Sequence, residues 1–134
     1  MKQVLKPSYH GIKFVWDDWR KDNLRTQRIT FNSNNRVYYD NFIPPCSKML
    51  VYVLSPVNEL QGMYEVTGSY RNSGDPKFDV EVPVSLVCDK TKGLTFTEVK
   101  KHVHNFNPFH EGVSYQPLTK SQFDKLYSDL QNKI

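Results

Sequence analysis

A chain of 134 residues with a formal net charge of +4 is one domain by size, long enough to bury roughly two-thirds of the surface that its unfolded form exposes. Its eight Tyr, eight Phe and two Trp lie in part among polar neighbours, and the mildly basic balance suits a polyanionic partner. No apolar run approaches the ~20 residues needed to cross a bilayer, and residues 1–7 hold no signal-peptide core, so the expectation is a cytoplasmic protein with no membrane partner.

Residues 11–16 (Gly-Ile-Lys-Phe-Val-Trp) read as a first strand with Ile12 and Phe14 on a common face. Asp17 is placed to cap a short helix through Trp19, Leu24 and Arg25, because its carboxylate accepts from free helix N–H groups. Residues 28–31 and 36–39 form two short strand candidates around an Asn-Ser-Asn-Asn turn. A loop containing Pro44-Pro45 leads into residues 48–55, a continuous apolar run of the length and composition of a buried strand. Residues 61–70 then alternate, with Met63, Glu65 and Thr67 on one side and Tyr64 and Val66 on the other.

Residues 71–77 are a polar loop with Gly74 and Pro76, flanked by Tyr70 and Lys77, where function is expected to sit. Phe78, Val80, Val82, Val84 and Leu86 then share one face of an antiparallel partner strand, and residues 89–93 read as a turn. Thr95 with Glu98 spells a capping box, with Leu94 and Val99 as its hydrophobic staple. After an irregular loop and a short strand at 113–117, Thr119 and Gln122 form a second capping box. Phe123, Leu126, Tyr127 and Leu130 follow at the spacing of an amphipathic helix. Strands with short helices define an α+β domain spanning residues 1–134, its sheet curling toward a barrel. Cys46 and Cys88 sit beside apolar runs and read as buried reduced thiols.

The order of elements resembles an EVE domain, a member of the PUA-like group that includes the YTH domains. Three places carry the likeness: Trp16-Asp17-Asp18-Trp19-Arg20 through Leu24-Arg25; Val51 to Ser55 with Gly62-Met63-Tyr64-Glu65-Val66; and Leu94 to Lys100 with Val113 to Thr119 and Phe123. It departs from the family at residues 26–47, where Pro44-Pro45-Cys46-Ser47-Lys48 stands in place of a Gly-Asp turn. The resemblance implies a curled mixed sheet (a pseudo-barrel) with short flanking helices and a terminal amphipathic helix. It further implies a non-enzymatic reader, without a cofactor, of a modified base in DNA: 5-methylcytosine, 5-hydroxymethylcytosine or N6-methyladenine. The base would be flipped into an aromatic pocket, and the domain would be the specificity module of a modification-dependent restriction system, with a nuclease or NTPase domain or subunit as partner. Aromatic walls would return the few kcal/mol of stacking that an extruded base gives up.

The base-binding candidates are Trp16, Trp19, Tyr39, Ser55 and Tyr70, with Tyr38 and Phe78 weighed beside them. Trp16 or Trp19 serves as a pocket wall or as core and rim; Tyr70 stands where related domains place a cage aromatic; Ser55 ends the central strand, where similar domains place a polar contact. Arg20, Lys21, Arg25, Arg28, Arg71 and Lys77 are candidates for phosphate contacts, which add salt-sensitive affinity rather than sequence choice. His102, His104 and His110 with Cys88 or Glu111 match no common zinc spacing, so no metal is expected. Asp17, Asp18 and Asp22 have no fixed His or Lys partner, and no glycine-rich phosphate loop is present. Three alternatives stay open: an RNA-binding PUA-like protein, a small-molecule or nucleotide enzyme with a buried Lys, His or carboxylate, and a protein-interaction module.

Overall fold

The computed structural model describes residues 8–18, 21, 26–31, 43–108 and 115–133. Within them β1 (His10–Val15), β2 (Arg28–Phe31), β3 (Lys48–Val53), β4 (Glu59–Val66), β5 (Arg71–Asn72), β6 (Val80–Thr95) and β7 (Tyr115–Pro117) build one mixed sheet, with helices α1 (Phe96–Lys100) and α2 (Lys120–Gln131). The strand order is β2-β6-β4-β3-β1-β7, with β5 paired to β6. β1 and β3 are parallel, in register from His10 with Lys48 to Val15 with Val53, and the other pairs are antiparallel.

The central strands are buried on both faces, which is why residues 48–53 carry apolar side chains without alternation. Ile12, Phe14, Leu50 and Tyr52 point to an outer core covered by Val99, Val103, Phe106, Phe123, Leu126 and Leu130. Val15, Met49, Val51 and Val53 point to an inner core with Ile29, Phe31, Tyr64, Val82 and Tyr115. The sheet curls until its two ends meet: the Phe31 ring of β2 lies 6.4 Å, centroid to centroid, from the Tyr115 ring of β7. The result is a PUA-like α+β architecture.

Both capping boxes form. Thr95 Oγ1 accepts from Glu98 N–H at 3.2 Å, and Thr119 Oγ1 accepts from Gln122 N–H at 3.1 Å, each answered by the reciprocal side-chain bond. Leu94 and Val99 are both buried in the outer core, as a staple requires. Phe123, Leu126 and Leu130 seat α2, each contributing roughly 1.5–3 kcal/mol by leaving water.

Four local expectations are corrected. Residues 89–93 are not a turn: β6 continues for 16 residues to Thr95, because β4 pairs with it through irregular registers at Leu60/Gly62 and Met63/Tyr64. A Cβ at Gly93 would stand 1.7 Å from the Leu60 carbonyl oxygen, so this glycine marks a close approach of two strands rather than a chain reversal. The irregularity at Met63/Tyr64 also ends the common face: Leu86 and Val87 are exposed, while Cys88 packs on the outer core. Cys46 is exposed rather than buried, and Asp17 is itself helical, one position inside the expected cap.

Candidate functional site

β1 and β3 run side by side and leave the sheet at the same end, where Leu54 N–H donates to the Val15 carbonyl at 2.8 Å. Trp16 follows β1 there and is 58% exposed, a large apolar surface outside both cores. Ser55 is exposed in the turn after β3, close in the chain to the same strand end. Lys21 lies on the adjoining helical segment, 3.6 Å from Asp17 in an exposed i,i+4 pair of the kind worth a few tenths of a kcal/mol. Trp19, Arg20, Arg25, Tyr38 and Tyr39 lie outside the described residues.

The second group of candidates gathers around β5 and the start of β6. Tyr70 is half-buried and turns its ring edge-on to Phe31 at 6.2 Å, so it belongs to the rim of the inner core. Arg28 and Arg71 converge on one buried carboxylate: Arg28 Nη1 donates to Glu81 Oε1 at 3.0 Å and Arg71 Nε to Glu81 Oε2 at 2.8 Å. Strand register dictates this, since Glu81 pairs with Thr30 on one side and Arg71 on the other. Two cations on one anion leave a net positive charge, and both guanidinium side chains keep part of their surface in water.

The loop from Ser73 to Phe78 is held by its own side chains. Asp75 Oδ1 accepts from the N–H groups of Lys77 and Phe78, both at 2.8 Å, and Asn72 Oδ1 accepts from Gly74 N–H at 2.8 Å. The N–H groups of Phe78 and Lys77, donating to it, hold the Asp75 carboxyl below its usual range. Lys77 places its ammonium 5.4 Å from the centre of the half-buried Phe78 ring.

Sequence reasoning missed the inner polar group. Lys13 lies on the inner face of β1, is only 5% exposed and brings its ammonium to 4.7 Å from the centre of the Phe31 ring. No carboxylate or hydrogen-bond acceptor pairs with it among the described residues. Burial alone pushes its pKa from 10.5 down to about 7. Tyr115, directly opposite Lys13 in register, lies over Gly11 so closely that a Cβ there would stand 2.0 Å from its hydroxyl oxygen. That hydroxyl shares a 3.1 Å hydrogen bond with Ser8 Oγ, and Ser47 Oγ donates to the Ser8 carbonyl at 3.2 Å. The available signal was a lysine inside an apolar strand run, between Ile12 and Phe14.

No protein-family model matches the chain, and no curated protein matches it in sequence. Solved structures do match. A hypothetical protein of Leishmania major is 17% identical with a TM-score of 0.68, the match covering 94% of this chain and 96% of that one. A protein of Rhodopseudomonas palustris gives 12% and 0.65 over 91% and 92%. ASCH from Zymomonas mobilis gives 12% and 0.62 over 90% and 94%. ASCH and EVE domains share the PUA-like superfamily, and at these identities the likeness is one of fold. Among the described residues no helix is long and apolar enough to cross a membrane.

Proposed function

We propose that this domain binds nucleic acid and receives an extruded, modified base, as the resemblance to EVE domains implies. The observation that carries the proposal is Trp16: a ring 58% in water at the shared end of two parallel strands, with neither core to fill, is a surface on which a base can stack. Arg28 and Arg71, held together by Glu81, supply cations for a phosphate backbone, and Lys21 and Lys77 are further exposed cations. DNA carrying 5-methylcytosine, 5-hydroxymethylcytosine or N6-methyladenine is the proposed ligand, and a restriction partner with nuclease or NTPase activity the proposed context.

The test is binding to matched labelled duplexes and RNAs, unmodified or carrying each modification, at two salt concentrations. Tighter binding to one modified duplex, lost in Trp16→Ala, is the expected result. Equal and salt-sensitive binding to every probe would reduce the proposal to a basic surface. One observation favours a second reading: Lys13 is a buried amine of lowered pKa on an aromatic inner face, the feature that an enzyme built on this barrel requires. Turnover of a nucleoside or nucleotide lost in Lys13→Met would establish it.

A further inference from the structure

Glu81 is a buried carboxylate whose two partners carry more charge than it cancels. Ile29, Phe31 and Val82 turn into the inner core, so strand alternation puts Arg28, Thr30 and Glu81 on the opposite, outer face of the sheet. β5 brings Arg71 to the other edge of β6, directly opposite Glu81 in register. Each carboxylate oxygen accepts one of these N–H groups, Oε1 from Arg28 Nη1 and Oε2 from Arg71 Nε. The guanidinium groups are not used up by this. Both Nη groups of Arg71 stay free of hydrogen bonds among the described residues, and Arg28 Nε, though buried, has no acceptor there. An apolar side chain at position 81 would avoid desolvating a charge, so stability alone does not account for Glu81. What it does is fix two long side chains in the folded protein, removing rotamer freedom that they would otherwise lose on binding. The loop after β5 is fastened in turn by the Asn72 and Asp75 side chains.

We propose that Arg28 and Arg71 form one clamp for a single phosphodiester of a nucleic-acid strand, on the outer face of the sheet, with Glu81 as its positioning residue. This rests on the nucleic-acid reading and narrows its cations from a basic surface to one phosphate. Two guanidinium groups on one carboxylate carry a net charge of +1, which a diester's single negative charge cancels. The planar fork of Arg71 suits two phosphate oxygens at once, as the ammonium groups of Lys21 and Lys77 do not. Removing either arginine leaves the other cancelled by Glu81, so the clamp works only as a pair.

The test has two arms. In the first, dimethyl phosphate is titrated into the arginine-labelled full chain, and the Nε–H resonances of Arg28 and Arg71, assigned by their loss in the alanine variants, are followed. Both should shift with one midpoint. In the second, a labelled duplex is bound at several salt concentrations, intact or with one linkage at a time made a neutral methylphosphonate. Arg28→Ala and Arg71→Ala should each lower the slope of log affinity against log salt by about 0.9, and both should be insensitive to the same single linkage. Glu81→Gln removes a negative charge, so attraction alone predicts tighter binding; positioning predicts binding roughly two- to tenfold weaker. Tighter binding by Glu81→Gln, or arginines that couple to different linkages, would overturn the inference and leave the nucleic-acid reading standing. A shared response to dimethyl phosphate without duplex binding would uphold the clamp and remove that reading. Silence in both arms would overturn both. If Glu81→Gln fails to fold, Arg71→Lys, which keeps the charge and loses the fork, replaces it: unchanged duplex binding would overturn the inference.

Discussion

The ammonium of Lys13 sits 4.7 Å from the centre of the Phe31 ring, a contact between β1 and β2 across the inside of the curl. A desolvated cation–π contact contributes roughly 2 kcal/mol, less than burying an unpaired ammonium costs. The imbalance is resolved by release of the proton, and the pKa falls from 10.5 to about 7. Lys13→Met should therefore stabilise the fold at pH 6 by roughly 1–4 kcal/mol. The unfolded chain holds the Lys13 proton up to about pH 10.5 and the folded chain only to about 7, so wild-type stability rises with pH across that window. His10, whose pKa is lowered by burial and then by Lys48, adds a slope of the same sign below pH 6.5 in both proteins. Denaturant unfolding at pH 6, 8 and 10 checks this: the advantage of the variant should shrink as pH rises, and a constant difference would refute the account.

Glu81 is the buried anion on which Arg28 and Arg71 depend. Glu81→Ala leaves two like charges facing each other with their acceptor gone, and Arg28 Nε has no hydrogen-bond partner among the described residues. Breaking a fully buried pair costs roughly 3–5 kcal/mol. The partial exposure of both arginines lowers the expected loss here to about 2–3 kcal/mol. Glu81→Gln, which keeps an acceptor of the same shape, should lose less than Glu81→Ala. Thermal unfolding of the two variants ranks them, and equal losses would show that the carboxylate charge dominates.

Elements governed by short-range rules were legible in the sequence. The Thr119–Gln122 box and the spacing of Phe123, Leu126 and Leu130 place α2 without tertiary information, and residues 28–31 form the expected strand. The central strands were legible as well, from the apolar run at 48–53 and the alternation around 61–66 and 80–84, but the irregularities of their pairing were not. The composition of residues 89–93 suits a turn, and only the irregular pairing with β4 makes it strand, with Gly93 fitted against Leu60. The site divides in the same way. Trp16, expected as a pocket wall or as a ring of core or rim, stands exposed at the strand end. Lys13 looks like an ordinary solvated position until β3 and β7 flank its strand and the curl brings Phe31 over it.

Two glycines give a graded test of the backbone. At Gly93 an added Cβ meets the Leu60 carbonyl at 1.7 Å, a backbone obstacle that moves only if β4 and β6 separate. At Gly11 it meets the Tyr115 ring, a side chain that can swing away and give up its bond to Ser8. Both alanine variants should lose stability, Gly11→Ala by roughly 1–3 kcal/mol and Gly93→Ala by more. Gly11→Ala should also change the Tyr115 environment in near-ultraviolet circular dichroism. If Gly93→Ala were the milder variant, the close approach of β4 and β6 would be wrong.

Trp16 and Tyr70 separate binding from folding. Trp16 is mostly in water and belongs to neither core, so Trp16→Ala should change unfolding free energy by no more than about 0.5 kcal/mol. Tyr70 packs on the inner core beside Phe31, so Tyr70→Ala should cost roughly 1–3 kcal/mol. If a base stacks on Trp16, its removal weakens nucleic-acid binding by roughly 1–3 kcal/mol, five- to a hundredfold or so in affinity. Titrating one labelled modified duplex against the two folded variants, with their unfolding curves recorded in parallel, gives both quantities. A Trp16→Ala protein that binds like wild type would leave the exposed ring without a role in nucleic-acid binding. Loss of binding in Tyr70→Ala out of proportion to its stability would move the stacking surface from the strand end to the rim of the inner core.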